Sequence, residues 1–306
     1  MRKVILATAG VAVVAFVVAA MGSAQPTAST ATTRAVAKAP VLPKLPAEIA
    51  SRKRLIVGAK CDTPPFGYID VRGKNAGFDV EIARQFARYA FGKGTSVNLL
   101  CAPTASREPL LTNDRADLVI STFTYTADRD TRIDFSRAYW KGTGRLLVKN
   151  DGPVQKLSDL AGKRVATTSG SVYDRWMKNC FKSTQVIVAD TFTNAMLAFN
   201  QGRADAVMYD DAVLIPVAAA DRTAKITDDV FLQAPFGIGM KQGNTQMKAW
   251  VDSRLALMKA KDQFLPILKA NVPARFVNSF TKTILRPNNT FSYALPGAPS
   301  VDTVCQ

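Results

Sequence analysis

The sequence predicts an α/β protein made of two similar lobes, each built on a mostly parallel sheet. Three observations predict it. Strand-like and helix-like apolar periods alternate along the chain from residue 55 onward. The alternation then recurs, and the echo between "DRADLVIS" (114–121) and "GRADAVMY" (202–209) falls at the same point of each unit. The residues after the strands are hydroxyl-rich and include Lys60, Arg129 and Asp210, with no plausible acid–base pair among them. Open parallel sheets bind ligands at the carboxyl ends of their strands, so this is binding chemistry.

Taken in order, Arg2 and Lys3 precede an apolar run over 4–20, and Gly22 and Ala24 are small where a signal peptidase reads. Residues 1–24 are thus expected to be a cleaved signal peptide. An uncleaved membrane anchor is the competing reading, because the run approaches the ~20 residues of a spanning helix. Residues 25–50 are dominated by Ala, Thr and Pro, have no aromatic residue and read as a flexible linker. "RLIVGAK" is a buried strand. "GFDVEIARQFARYAF" is a helix with Ile82, Phe86 and Tyr89 on one face. "SVNLLC", a short helix around "REPLLTN", and "RADLVIS" complete a βαβαβ unit. The second unit runs "KRVATTS", "SVYDRWMKN", "QVIVAD", "TNAMLAFNQ" and "GRADAVMYDD".

The formal charge of +16 becomes +14 when Arg2 and Lys3 are removed. In an exported protein that excess suits an acidic solute or an anionic envelope surface, or is a solvated basic face, and does not argue for nucleic acid. The chain has no histidine, which excludes serine–histidine triads and histidine-ligated metals; neither cofactor nor metal is called for. Four cysteines in an exported chain favour disulfides. Three pairings are possible. Cys61 and Cys101 each close a predicted strand, which favours Cys61–Cys101 and leaves Cys180–Cys305 to staple the tail.

Within "VISTFTYTADRDTRIDFS" (119–136), Thr122, Thr124 and Thr126 follow a buried strand, and Arg129 comes about one turn later. That suits a small anion at a strand end. Surface pairing of Arg129 with Asp128, Asp130 or Asp134 is the plainer alternative.

Together with "VGAKCDTPPFGYID", "GFDVEIARQFA", "DLAGKRVATTSGS" and "GRADAVMYDD", this stretch resembles, in order, the family-3 solute-binding proteins of ABC amino-acid importers. The similarity covers roughly residues 52–281. "SREPLL", "TTSGS", "MYDDAVL" and the tail "ILRPNNTFSYAL" are most similar to the glutamate/aspartate binders. The resemblance implies the type II periplasmic-binding-protein fold: two mixed sheets joined by two crossover strands, near "GTGRLLVKN" and "PFGIGMK". Lobe one would be 51–143 and 241–281, lobe two 144–240, and the tail 282–306.

The resemblance also implies a site. Arg129 would hold the ligand α-carboxylate in a bidentate pair, with Thr124 and the backbone at Thr122 completing it. Asp210 would take the α-ammonium, unless it merely caps a helix. Ser169 and Ser171 would donate at a helix N-terminus. Thr104 lies at a strand end beside the site. Lys60 and Arg107 would meet the ligand side chain, unless Lys60 is a solvated strand end and Arg107 only precedes Pro109 at a helix start. Phe66 would be the aromatic wall, with core packing as the competing role. Lys60 stands where these binders commonly have arginine, and Phe192 aligns with their pocket histidine. The expected partners are an amino acid and an ABC permease, and the expected state is a monomer in the periplasm or extracytoplasmic space. An exported dehydratase of the cyclohexadienyl or arogenate type and a sensor subunit are the alternatives.

Overall fold

The computed structural model describes residues 42–289 and Cys305. The signal peptide, the alternative anchor and most of the expected linker lie outside these residues.

Each lobe is an α/β layer around a five-strand path with the same logic. In lobe one the order is Val97–Cys101, Leu55–Ala59, Leu118–Val119, Gly239–Lys241, Ile133–Phe135. The first three run parallel, and Gly239–Lys241 is antiparallel to both neighbours. In lobe two the order is Gln185–Ala189, Arg164–Thr168, Ala206–Asp210, Thr143–Lys149, Ala224–Ile226, with Phe231–Gln233 also on Thr143–Lys149. Again the first three are parallel and the fourth is antiparallel. The expected mixed sheets therefore form. Their central strands Leu55–Ala59 and Ala206–Asp210 are almost wholly buried, as strands covered on both faces must be.

Two segments lie side by side between the lobes. Phe236 N–H donates to the Trp140 carbonyl at 2.9 Å and Ala234 N–H to Gly142 at 2.8 Å. The crossovers thus fall at 140–142 and 234–236; most of the expected 142–150 is instead strand Thr143–Lys149 of lobe two, and Gly239–Lys241 is a strand of lobe one, so lobe two ends before the expected residue 240. The amphipathic helix Phe78–Phe91 packs Phe86 on Trp250 of helix Thr245–Ala260, and Phe78 on Phe264 of helix Phe264–Asn271.

The chain is ordered at both margins beyond what periodicity indicated. Ala47–Arg52 form a helix that buries Ile49, so the linker expected over 25–50 ends before its last residues. Beyond 281, Ile284 bridges to Trp140, and Arg286 forms a two-pronged ion pair with Asp262 at 2.5 and 2.8 Å. The start of the tail thus belongs to the lobe-one surface.

Both disulfides form as expected. Cys61–Cys101 has a Cα separation of 5.3 Å and Cys180–Cys305 one of 4.9 Å. The parallel register sets Ala59 opposite Cys101, so the chain need only pass two residues beyond the strand to bring Cys61 alongside.

Candidate functional site

The strand ends of the two lobes meet face to face. Lys60 follows strand Leu55–Ala59 and is fully buried. The hairpin after it presses so closely that a Cβ on Gly67 would lie 2.5 Å from the Lys60 carbonyl oxygen, which is why glycine stands there. Lys60 Nζ donates to Thr104 Oγ1 at 2.5 Å. Thr104 also receives the Thr168 hydroxyl at 3.2 Å and lies 3.4 Å from the Tyr209 hydroxyl, both from lobe two. Burial, with Arg107 nearby, holds the Lys60 ammonium down to about 7. Among the described residues Nζ pairs with no carboxylate. A solvated strand end is excluded.

Arg129 is buried as well and does not pair with the aspartates of its own segment. It follows Thr126, whose hydroxyl caps the short helix Ala127–Asp130 by accepting from Arg129 N–H. Its Nε donates to Glu108 at 3.1 Å, one Nη to the Thr124 carbonyl at 2.7 Å, and the other to the Gly170 carbonyl of lobe two at 2.8 Å. A guanidinium has five N–H donors. Two remain for a carboxylate, enough for one bidentate pair. Burial, with Arg107 and Arg175 nearby, lowers its pKa to about 9, so it stays charged at neutral pH.

Asp210 ends strand Ala206–Asp210. It occupies the cap position of helix Asp211–Ala220 but makes no side-chain cap bond, so the capping alternative fails. Its carboxylate accepts the Tyr173 hydroxyl at 2.7 Å. Burial raises its pKa to about 7, against the lowering effect of that hydroxyl. A buried acid so placed is ready for an ammonium group.

Arg107 is in the site region and has a structural role that the sequence did not indicate. Its Nε donates to the Thr104 carbonyl at 2.9 Å, and one Nη to the carbonyls of Ser121 (3.2 Å) and Thr122 (2.9 Å). The guanidinium also sits 4.6 Å from the centre of the Phe123 ring. Thr122, with φ of 42°, is held in the left-handed region that β-branched residues avoid. Its N–H donates to buried Asp79 at 2.7 Å while Arg107 holds its carbonyl. A conformation costing about 1–3 kcal/mol persists only when it is fixed from both sides. Arg107 thus shapes the loop under Thr122 and Thr124 with Nε and one Nη, while its second Nη keeps two N–H donors with no partner among the described residues.

Phe66, Ser171 and, in its amide alone, Ser169 also depart from expectation. Phe66 packs edge-on to Phe78, Trp140 and Phe236, with centroids 6.0, 4.8 and 5.7 Å away; it is a core ring of lobe one, not a pocket wall. Ser171 Oγ caps helix Val172–Cys180 by accepting from Asp174 N–H and lies 3.2 Å from Thr167 Oγ1. The half-buried Ser169 spends its N–H on the Ala189 carbonyl at 2.7 Å. The structure therefore brings together Lys60, Thr104, Thr124, Arg129 and Asp210, with Thr122 at the strained turn. Residues the sequence reading missed are Thr168, Tyr173, Tyr209 and Asp79. All four lie in the periodic stretches of the sequence, but only folding brings the hydroxyls of Thr168 and Tyr209 to Thr104, that of Tyr173 to Asp210 and the Asp79 carboxylate to Thr122.

A family model, bacterial extracellular solute-binding proteins, family 3, matches residues 55–271. The chain belongs to this family, and with it to the extracytoplasmic amino-acid receptors of ABC importers. Among its relatives, the glutamine-binding protein of Geobacillus stearothermophilus is 32% identical over 63% of this chain and 74% of its own length. The L-cystine-binding protein of Escherichia coli is 29% identical over 72% and 83%. The holo structure of the arginine-binding protein of T. maritima superposes with a TM-score of 0.66 at 30% identity, covering 73% of this chain and 98% of that one. These relatives are all named as binding proteins.

Proposed function

We propose that this receptor takes an amino acid whose side chain ends in oxygen, glutamate or aspartate ahead of glutamine, and delivers it to an ABC permease. Arg129 and Thr124 take the α-carboxylate and Asp210 takes the α-ammonium. Lys60, supported by Thr104, takes the side-chain oxygen. The observation that carries the reading is Lys60: a fully buried ammonium in contact with a hydroxyl but with no carboxylate among the described residues. Burial already holds that ammonium down to about 7 although Asp62, Asp79 and Asp210 act on it from a distance, so keeping it charged with no counter-charge in contact is costly. A ligand carboxylate supplies that counter-charge, and an arginine or lysine ligand would add to the cost.

Glutamine is the second reading, favoured by one structural fact. Arg107 spends Nε and one Nη on backbone carbonyls, which leaves only its second Nη for the side chain where the sequence offered the whole guanidinium. Two relatives are also named for glutamine. Calorimetric titration of the mature protein with glutamate, aspartate, glutamine, cystine and arginine decides between them. Glutamate or aspartate should bind at least about tenfold tighter than glutamine, or about 1.4 kcal/mol. A protein that prefers glutamine overturns the acidic assignment, and one that binds none overturns the site.

A further inference from the structure

The ligand arginine has a neighbour that grips the opposite lobe. Helix Ala127–Asp130 is only one turn long, yet two consecutive side chains leave it for the same stretch of lobe two. Arg129 reaches the carbonyl of Gly170 at 2.8 Å, and Asp128 receives Nη1 of Arg175 at 2.5 Å. Gly170 and Arg175 flank the start of helix Val172–Cys180. Behind them runs a ladder of charges within lobe one. Glu108 accepts from Arg129 at 3.1 Å and from Arg132 at 3.0 Å. Arg132 in turn holds both oxygens of Asp128, at 2.9 and 2.8 Å. The order Arg129, Glu108, Arg132, Asp128, Arg175 alternates in sign throughout and ends across the cleft.

We propose that Asp128 is a positioning residue for ligand capture, whose ion pair with Arg175 latches the two lobes shut while Arg129 holds the ligand. This rests on the reading that Arg129 takes the α-carboxylate. Arg132 and Glu108 fix the Asp128 carboxylate before closure, so little side-chain freedom is lost when Arg175 arrives. The pair touches no part of the ligand. It forms only when the lobes meet, so it acts on escape from the closed state and not on encounter. Its contribution is modest, because both side chains are about a third exposed.

The test uses the mature chain with Arg175→Ala, Arg175→Lys and Asp128→Asn. Stopped-flow binding of glutamate and of glutamine is measured at low and high salt. Arg175→Ala should dissociate about fivefold faster, with association within twofold of wild type and the same preference between the two ligands. Its unliganded melting temperature should be unchanged, Arg175→Lys should recover part of the loss, and high salt should shrink the gap from wild type. A dissociation rate within 1.5-fold of wild type overturns the latch. So does a changed ligand preference, which would make Arg175 a ligand contact. If wild type binds neither amino acid, the functional reading fails by itself. The latch is then tested with whichever of cystine or arginine the titration shows to bind: Arg175→Ala must still dissociate faster from that ligand, and an equal rate sinks the proposal.

Discussion

The cleft faces of the two lobes come from sheets of the same order, yet they carry opposite chemistry. Lobe one presents three buried cations, Lys60, Arg107 and Arg129. Lobe two presents Asp210 and the hydroxyls of Thr168, Tyr173 and Tyr209. The cations also differ in how far they are already satisfied. Arg107 is fixed on three backbone carbonyls, Arg129 on two carbonyls and one carboxylate, and Lys60 on a single hydroxyl. Lobe one is thus a cradle of basic groups held largely by its own backbone, and lobe two faces it with an acid and neutral donors. On the function proposed above, a zwitterion would lie with its carboxylate to lobe one and its ammonium to lobe two.

The comparison breaks most completely if lobe one loses its bidentate group. Arg129→Ala should weaken amino-acid binding about a thousandfold, since truncating one partner of a buried ion pair costs roughly 3–5 kcal/mol. The fold should survive, because Glu108 keeps Arg132 as a partner at 3.0 Å. Calorimetry beside a circular-dichroism melt reads both halves of the statement. Binding within a few-fold of wild type would remove Arg129 from the site.

The opposite face gives the next largest effect. Asp210→Asn should cost about a hundredfold in affinity while keeping the Tyr173 hydrogen bond available. It should also change the pH dependence. Unliganded Asp210 titrates at about 7, raised by burial, and in the complex it must be ionised to meet the ammonium. Binding below about pH 7 therefore releases a proton, and affinity falls by up to about tenfold per unit as pH drops. The asparagine variant should lack that slope.

Much of the cradle was legible in the sequence because strand ends follow local periodicity. Lys60 and Asp210 stand at the ends of periodic strands, Arg129 follows the threonines that trail one, and Cys61 and Cys101 lie at or just past the ends of neighbouring strands. What was not legible is which donors folding has already used. Arg107 looks like a free cation until the carbonyls of Ser121 and Thr122, 14 and 15 residues away, turn toward it. A pocket phenylalanine and a core phenylalanine obey the same pattern, so nothing local placed Phe66 among Phe78, Trp140 and Phe236. The helix Ala47–Arg52 is too short to show a period and is held by packing of Ile49.

The finest distinction concerns Lys60, because its charge separates an acidic ligand from an amide. Unliganded Lys60 titrates at about 7, lowered chiefly by burial. A ligand side-chain carboxylate at Nζ raises that value, so above about pH 7 binding of glutamate takes up a proton and affinity falls as pH rises. Glutamine brings no charge to Nζ and should show little of this alkaline limb. Both ligands share the acid limb set by Asp210, since both carry the ammonium. Glutamate affinity should therefore peak near neutrality and glutamine affinity should rise to a plateau. Lys60→Met should flatten the alkaline limb for glutamate and reduce its preference over glutamine by about tenfold. Calorimetry of both ligands from pH 5 to 9 reads all of these at once. Identical profiles for the two ligands, or an alkaline limb that survives Lys60→Met, would place the side-chain terminus away from Lys60 and move the cradle's selectivity to lobe two, where Thr168 and Tyr209 stand.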